Sequence, residues 1–327
     1  MRLKGIILFA LILVGFSCRK SNYIPPVYPL PPDSLMSWNV ISTLSGKDLS
    51  DIWFTTASRG FTLGDKIYQT TDGGLTWAAI PNTSEITNFI NLFFVNPQNG
   101  FAQGSSQLAT TVDGGNSWTV KTLPTTNGFT IFFVDPSLGF YGDASGGGLN
   151  KTSDAGNSWT TVFIDPGTSQ SYYPFFLDKD TGFVTIGSGT FASTSDGGLT
   201  WQTKSVNLPV NQNSYTYNQL LFFDKNIGFY ACPSGILKTI DGGQTWQNIL
   251  MDLLDGTFAN TVNVVKFVDA NTGYYKGSQA IYKTSDGGQT WNLSCKVGAD
   301  YLIGMYFLDI HSGWACTSKG RILKIQQ

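Results

Sequence analysis

An all-β fold built from one repeated four-stranded unit is what this sequence predicts, and three observations predict it. A nine-residue box recurs six times: "QTTDGGLTW" ending at Trp77, "TTVDGGNSW" at Trp118, "KTSDAGNSW" at Trp159, "STSDGGLTW" at Trp201, "KTIDGGQTW" at Trp246 and "KTSDGGQTW" at Trp291. The tryptophans lie 41, 41, 42, 45 and 45 residues apart, a period that suits one four-stranded blade per repeat. A second motif alternates with the box: a phenylalanine, then, six residues on, a glycine followed by an aromatic residue. It occurs seven times, at Phe54, Phe94, Phe133, Phe176, Phe222, Phe267 and Phe307. Composition is the third observation. With 37 glycines, 14% aromatic and only 13% charged residues, the chain reads as many short strands separated by tight turns. Only "NILMDLLDG" (248–256) suggests a turn or two of helix.

Taken in chain order, residues 1–17 read as an export signal. Arg2 and Lys4 precede an apolar run that is too short to span a bilayer. The "GFSC" ending resembles a bacterial lipobox, which implies cleavage before Cys18 and lipid attachment to that residue. The alternative is an ordinary signal peptide with an incidental cysteine. Residues 18–36, "RKSNYIPPVYPLPPD" and its continuation, form a proline-rich tether. No aspartate follows Cys18, which resembles sorting to the outer membrane, on either its periplasmic or its surface side. Residues 37–327 form one domain.

Within that domain, "SWNVIST" (37–43) looks like the strand that follows a box, and the chain stops just after the third strand of a seventh repeat. The N-terminal strand is therefore expected to complete the last blade. Ring closure of this kind limits exposed strand edges. The prediction is a seven-bladed β-propeller of four-stranded antiparallel blades, closed by the N-terminal strand.

Each box links the third and fourth strands of a blade. Aspartate and threonine side chains can bond backbone N–H groups a few residues on and so stabilise a tight turn. Asp72, Asp113, Asp154, Asp196, Asp241 and Asp286 are therefore read as structural, and a ring does not need six active sites. The second glycine of the box is present six times, whereas Ala155 replaces the first in the third box. The second position is thus the one expected to need a positive φ. Asp135, Asp178, Asp224, Asp269 and Asp309 recur in the turn after the repeated phenylalanine and have the same reading.

The pattern Thr-x-Asp-x-Gly-x-Thr-Trp resembles the Asp-box, or BNR, repeat of sialidases, sortilin-type receptors and xyloglucanases. With "FxDxxxGF" ahead of each box, the longer unit resembles the photosystem II assembly and stability factor family and its non-photosynthetic bacterial lipoprotein relatives. That resemblance implies a non-catalytic, membrane-tethered propeller that binds something. In that family it would also imply a basic patch, but Arg59 and Arg321 are the only arginines of the domain.

Function is expected on the face carrying the inter-blade connections, since variable loops on a rigid frame are the usual place for it. The long connections bring Tyr172, Tyr173, Tyr215, Tyr217, Asn218, Phe258 and Asn260 to one side, and "GADYLIG" adds Asp300 and Tyr301. Aromatic residues beside Asn and Asp suit an envelope protein or a glycan. Alternatively, some of these tyrosines simply cap the core. The second reading of function is a glycoside hydrolase using two carboxylates across a cleft. Its candidates are Asp48, Asp51, Asp65, Glu85, Asp143, Asp165, Asp252, Asp255 and Asp300.

The residue inventory argues against other activities. Sialic acid cleavage needs three arginines for the substrate carboxylate. His311, the single histidine, sits in a turn without a placed partner. No zinc-ligand spacing exists, so no metal or cofactor is expected. Cys232 and Cys316 occupy equivalent strands two blades apart, too distant for a disulfide, and Cys295 is expected to reach neither. Signal removal takes two from the 20 basic residues while 22 acidic ones remain, a net charge of about −4. With no basic run, nucleic acid is not an expected partner. A monomer is expected.

Overall fold

The computed structural model describes residues 37–81, 83, 86, 88–124, 128–143, 147–164, 172–186, 189–206, 219–232, 235–251, 265–269, 271–277, 279–298 and 300–326. The expected signal and tether, with Cys18, lie outside these residues, as do Tyr215, Tyr217, Asn218, Phe258 and Asn260. So do Glu85, Asp165, Asp252 and Asp255.

The described residues form seven antiparallel sheets of four strands. Blade one runs outward through Asp51–Phe54, Gly60–Leu63, Ile67–Thr70 and Ala78–Ala79. Blades two to six begin with inner strands Asn91–Phe94, Gly128–Phe133, Tyr172–Phe176, Gln219–Phe222 and Val265–Phe267. Blade seven contains Leu302–Asp309, Ser312–Thr317 and Arg321–Gln326, and its outer strand is Ser37–Thr43 from the other end of the chain. That strand pairs antiparallel with Arg321–Gln326, from Ser37 opposite Gln326 to Thr43 opposite Arg321. Closure by the N-terminal strand is therefore as expected.

The repeated Phe–Gly pairing has a simple steric cause. In every blade the phenylalanine sits directly opposite the glycine across the first two strands. Its ring lies over that glycine so closely that a Cβ on Gly60 would fall 2.5 Å from Phe54, and one on Gly182 would fall 2.2 Å from Phe176. The aromatic residue after each glycine then stacks on the phenylalanine of the next blade. Centroid distances are 4.9 Å for Phe61–Phe94, 3.7 Å for Phe101–Phe133, and 3.8 Å for Phe140–Phe176 and Phe183–Phe222. They are 4.2 Å for Phe229–Phe267, 4.1 Å for Tyr274–Phe307 and 3.8 Å for Trp314–Phe54. One stack thus seals each junction, including that between the last blade and the first. Such pairs contribute about 0.5–1.5 kcal/mol each beyond their area burial.

Burial follows from this arrangement. The second strands are packed on both faces and are buried throughout, as in Gly60–Leu63 and Gly182–Ile186. The fourth strands are largely exposed, as in Gln202–Ser205.

Candidate functional site

The boxes use their carboxylates internally. In the first, the Asp72 Oδ1 accepts N–H groups from Leu75 at 3.0 Å and Thr76 at 2.9 Å, and the Thr76 hydroxyl donates to Oδ2 at 2.5 Å. The Thr70 hydroxyl donates to Asp72 and accepts the Gly74 N–H. The same set recurs around Asp113, Asp154, Asp196, Asp241 and Asp286. Hydroxyl donors, Ser117, Ser158, Thr200 and Thr245 first, pull Asp113, Asp154, Asp196 and Asp241 down to about 2. At Asp286 burial is the largest effect and pushes upward, but Thr290 and Thr284 outweigh it and leave a value of about 2. Asp135, Asp178, Asp224 and Asp269 of the other turn each accept two successive N–H groups, as Asp178 does from Asp180 and Thr181, and Asp309 accepts that of His311.

One expectation about the box is corrected. Both central positions adopt positive φ, 78° and 99° at Gly73 and Gly74, and Ala155 itself sits at 60°. What singles out the second position is close approach to the core. A Cβ on Gly115 would lie 2.4 Å from the Phe61 ring, and one on Gly243 2.4 Å from Phe191. At the first position the nearest neighbour is a carbonyl oxygen, at 3.1 Å for Gly114.

The carbonyl at that first position is also a link between blades. Lys121 donates to Ala155, Lys151 to Gly197 at 2.7 Å, Lys204 to Gly242 at 3.0 Å and Lys238 to Gly287 at 3.1 Å, each reaching from one blade to the next. At the ring closure the Trp314 indole donates to Gly73 at 2.9 Å.

Four of the predicted face residues fall within the described chain. Tyr172 is fully buried, its ring 6.1 Å from Phe163 in the core between blades three and four. It caps the core rather than facing a ligand, because the strand alternation turns it inward. Asp300 is 2% exposed and is held by the Arg321 Nε at 2.5 Å, by Thr317 and by Lys319. It too is corrected from a surface group to an internal ion pair. Tyr301 is exposed. Tyr173 lines the central channel.

That channel is the feature the sequence reading missed. The inner strands of all seven blades enclose a cavity of about 340 Å³. The residue before each repeated phenylalanine faces it: Trp53, Phe93, Phe132, Phe175, Leu221, Lys266 and Tyr306. Five of these are aromatic and belong to consecutive blades, from blade seven through blades one to four. Their centroids follow one another at 4.4 Å (Tyr306–Trp53), 6.3 Å (Trp53–Phe93), 6.2 Å (Phe93–Phe132) and 5.6 Å (Phe132–Phe175). All remain partly exposed. A signal was available in the chain: aromatic residues recur before the key phenylalanine, where a strand lining a water-filled hole would carry polar ones.

Two residues further back, a polar rim ties neighbouring inner strands together. Asp51 accepts the Leu92 N–H at 2.9 Å, Asn91 donates to the Ile131 carbonyl at 3.4 Å, and Gln219 accepts the Val265 N–H at 3.0 Å. Asp51 is the one carboxylate lining the channel among the described residues, and burial pushes it up to about 6. Asp65, by contrast, is drawn below its usual range by Lys47 at the surface. The described residues hold no cluster of three or more metal-ligating side chains. Cys295 and Cys316 are free thiols.

Fold and channel together define a class: a seven-bladed propeller of four-stranded antiparallel blades with an aromatic-lined axis. The family model described as photosynthesis system II assembly factor YCF48 matches residues 167–299, and the chain resembles that family. A curated relative, the photosystem II assembly lipoprotein Ycf48 of Synechococcus sp. (strain CC9902), is 31% identical over 134 residues, which are 38% of this chain. The match spans 39% of that relative's length. Among solved structures, YCF48 bound to D1 peptide superimposes with a TM-score of 0.68 at 17% identity, covering 89% of this chain and 97% of that one. The GH74 enzyme of Niastella koreensis gives 0.64 at 16% identity, covering 88% of this chain and 53% of its own. At such identities the likeness is one of fold.

Proposed function

We propose that this protein is a non-catalytic binding or assembly scaffold of the cell envelope, exported and lipid-anchored through Cys18 at the outer membrane. Its ligand is a segment of an envelope protein or a glycan, taken up at the channel mouth. The observation that carries this reading is the continuous aromatic arc from Tyr306 to Phe175, left partly exposed inside an otherwise closed ring. Partly exposed aromatic anchors within a concave, polar-rimmed surface are what protein and sugar recognition use. The names of the relatives point the same way. One is a lipoprotein of photosystem II assembly, and one is held with a peptide.

The test is capture from envelope extract by the immobilised chain, with bound species identified by mass spectrometry and a glycan array run in parallel. A specific partner should be retained by the native chain and lost with Tyr173→Ala combined with Phe175→Ser. Retention by the double variant would sink the channel reading. A second reading, glycoside hydrolysis, has one observation in its favour. Asp51, raised to about 6 beside aromatic rings, has the character of a general acid. Release of reducing ends from envelope polysaccharide, abolished by Asp51→Asn, would replace the scaffold reading with that one.

A further inference from the structure

The wall of the central channel is unequal around the ring. Blades seven and one to four contribute Tyr306, Trp53, Phe93, Phe132 and Phe175, whereas blades five and six contribute Leu221 and Lys266. Within the arc the rings follow one another at centroid distances of 4.4–6.3 Å, and Phe93 and Phe132 lie within 15° of parallel. Each of the five precedes in sequence a phenylalanine whose own ring is locked over a glycine of the second strand. The arc is therefore held open by the blade junctions and does not collapse to bury itself. Apolar surface preorganised in this way gains by burial against a ligand.

The polar groups of the wall are engaged between strands. Asp51 accepts the N–H groups of Ile52 and Leu92 on its two oxygens, Asn91 donates to the Ile131 carbonyl, and Gln219 accepts the Val265 N–H. A sugar seated among the rings would compete with these bonds for partners to its hydroxyls, and a buried hydroxyl without a partner is costly. An aromatic group bears no such cost. Charge favours neither sign, since the lining holds one carboxylate, Asp51, and one ammonium, Lys266. An ammonium is also compatible with a π face. Size sets the rest. An apolar cavity of about 150 Å³ holds one benzene ring. At about 340 Å³ the channel has room for two fused rings.

We infer that the channel takes an uncharged two-ring aromatic group, lying against the arc with Leu221 of blade five across the ring. For a protein ligand that group is the tryptophan side chain. The inference narrows the ligand of the scaffold reading and rests on that reading for its protein source. A free bicyclic aromatic compound has the same chemistry.

The probes are indole, cellobiose and the capped peptide acetyl-Gly-Gly-Trp-Gly-Gly-amide, with a second peptide carrying leucine in place of tryptophan. Each is titrated into the native chain by ligand-observed NMR. Indole is expected to bind saturably at one site, at least tenfold more tightly than cellobiose. Leu221→Trp fills the channel with a two-ring group of its own and should weaken indole at least tenfold. Phe132→Leu keeps the wall apolar but removes one ring, and should weaken indole about two- to tenfold. Near-UV circular dichroism checks that each variant is folded, and if Leu221→Trp does not fold, Phe132→Leu decides. Undiminished binding by the folded variants, equal affinity for indole and cellobiose, or no saturable indole binding would each overturn the inference. The peptides separate the sources. A tenfold preference for the tryptophan peptide supports a protein segment, whereas indole bound with that peptide excluded supports a free aromatic compound. Indole binding without capture of any partner from envelope extract would remove the scaffold reading alone.

Discussion

At the scale of single residues, the box is a lesson in what a glycine is for. Positive φ is required at both central positions, yet Ala155 shows that one of them tolerates a Cβ. A left-handed Cβ costs roughly 1–2 kcal/mol, and crowding a packed ring adds about 1–3 kcal/mol. Gly115→Ala, whose Cβ would meet Phe61, is therefore expected to destabilise the protein by about 2–5 kcal/mol. Ala155→Gly should stay within about 1 kcal/mol of the native chain, because relief of strain and added chain entropy oppose each other. Urea unfolding of the two variants separates these outcomes. The aspartates carry opposite pH signatures. Box carboxylates lowered to about 2 contribute stability that is present above pH 4 and lost as pH falls toward 2. Asp51, raised to about 6, contributes stability that is present below pH 4 and lost as pH rises through 6. Between pH 4 and 6 the native urea midpoint should therefore fall relative to that of Asp51→Asn. Parallel midpoints for the two proteins would show that Asp51 does not titrate there.

Between elements, what holds blade to blade is a set of repeated devices of unequal visibility. The stacked aromatic pairs were legible, because Phe54 and its six counterparts recur at a fixed distance from glycine. The lysine links were not. Lys121 and Lys204 lie on fourth strands while Lys151 and Lys238 lie on third strands, so no single spacing marks them. What all four share is a destination, the carbonyl of the next box, and Lys151, Lys204 and Lys238 also lie over an aromatic ring. Lys238 lies 5.4 Å from the Phe229 centroid and Lys151 5.7 Å from that of Phe140. A charge-assisted hydrogen bond of this kind is worth about 1.5–3 kcal/mol when intact, less where water can replace it. Lys238→Met keeps the aliphatic stem and should cost about 1–2 kcal/mol. The check is a denaturation series in which Lys225→Met, on an exposed turn, changes stability by less than about 0.5 kcal/mol.

For the whole molecule, closure depends on one strand. Ser37–Thr43 does more than complete a sheet. Trp38 packs edge-on against Tyr274 and Phe307 and donates to the Ser294 hydroxyl at 3.2 Å, which ties it to blade six. Ser42 donates to the Gly74 carbonyl and accepts from the Trp77 indole at 3.3 Å, which ties it to blade one. Removing residues 37–43 exposes the edge of Arg321–Gln326 and breaks both ties. The shortened protein is expected to melt at a lower temperature and to self-associate through the bared edge, as read by calorimetry and size-exclusion chromatography. A monomer with unchanged melting would mean that the ring closes without its outer strand.

Repetition made the frame legible in the sequence by itself. Six boxes and seven Phe–Gly pairs set the strand order and the blade number, and they marked Asp286 and its five counterparts as turn residues. Those features are local: each depends on residues within a dozen positions, where spacing alone carries the physics. The channel is of another kind. Tyr306, Trp53, Phe93, Phe132 and Phe175 are each separated along the chain by the length of a blade or by the whole ring, and only closure sets them side by side. The same holds for the polar rim, where Asp51 accepts the Leu92 N–H and Gln219 that of Val265 only once neighbouring blades are packed. Tyr172 and Asp300 make the converse point. Their composition suited a surface, but strand alternation buried one and Arg321 claimed the other. Whether a side chain meets solvent, core or counter-ion is a property of the packed ring, so the tertiary structure alone decided the candidate site.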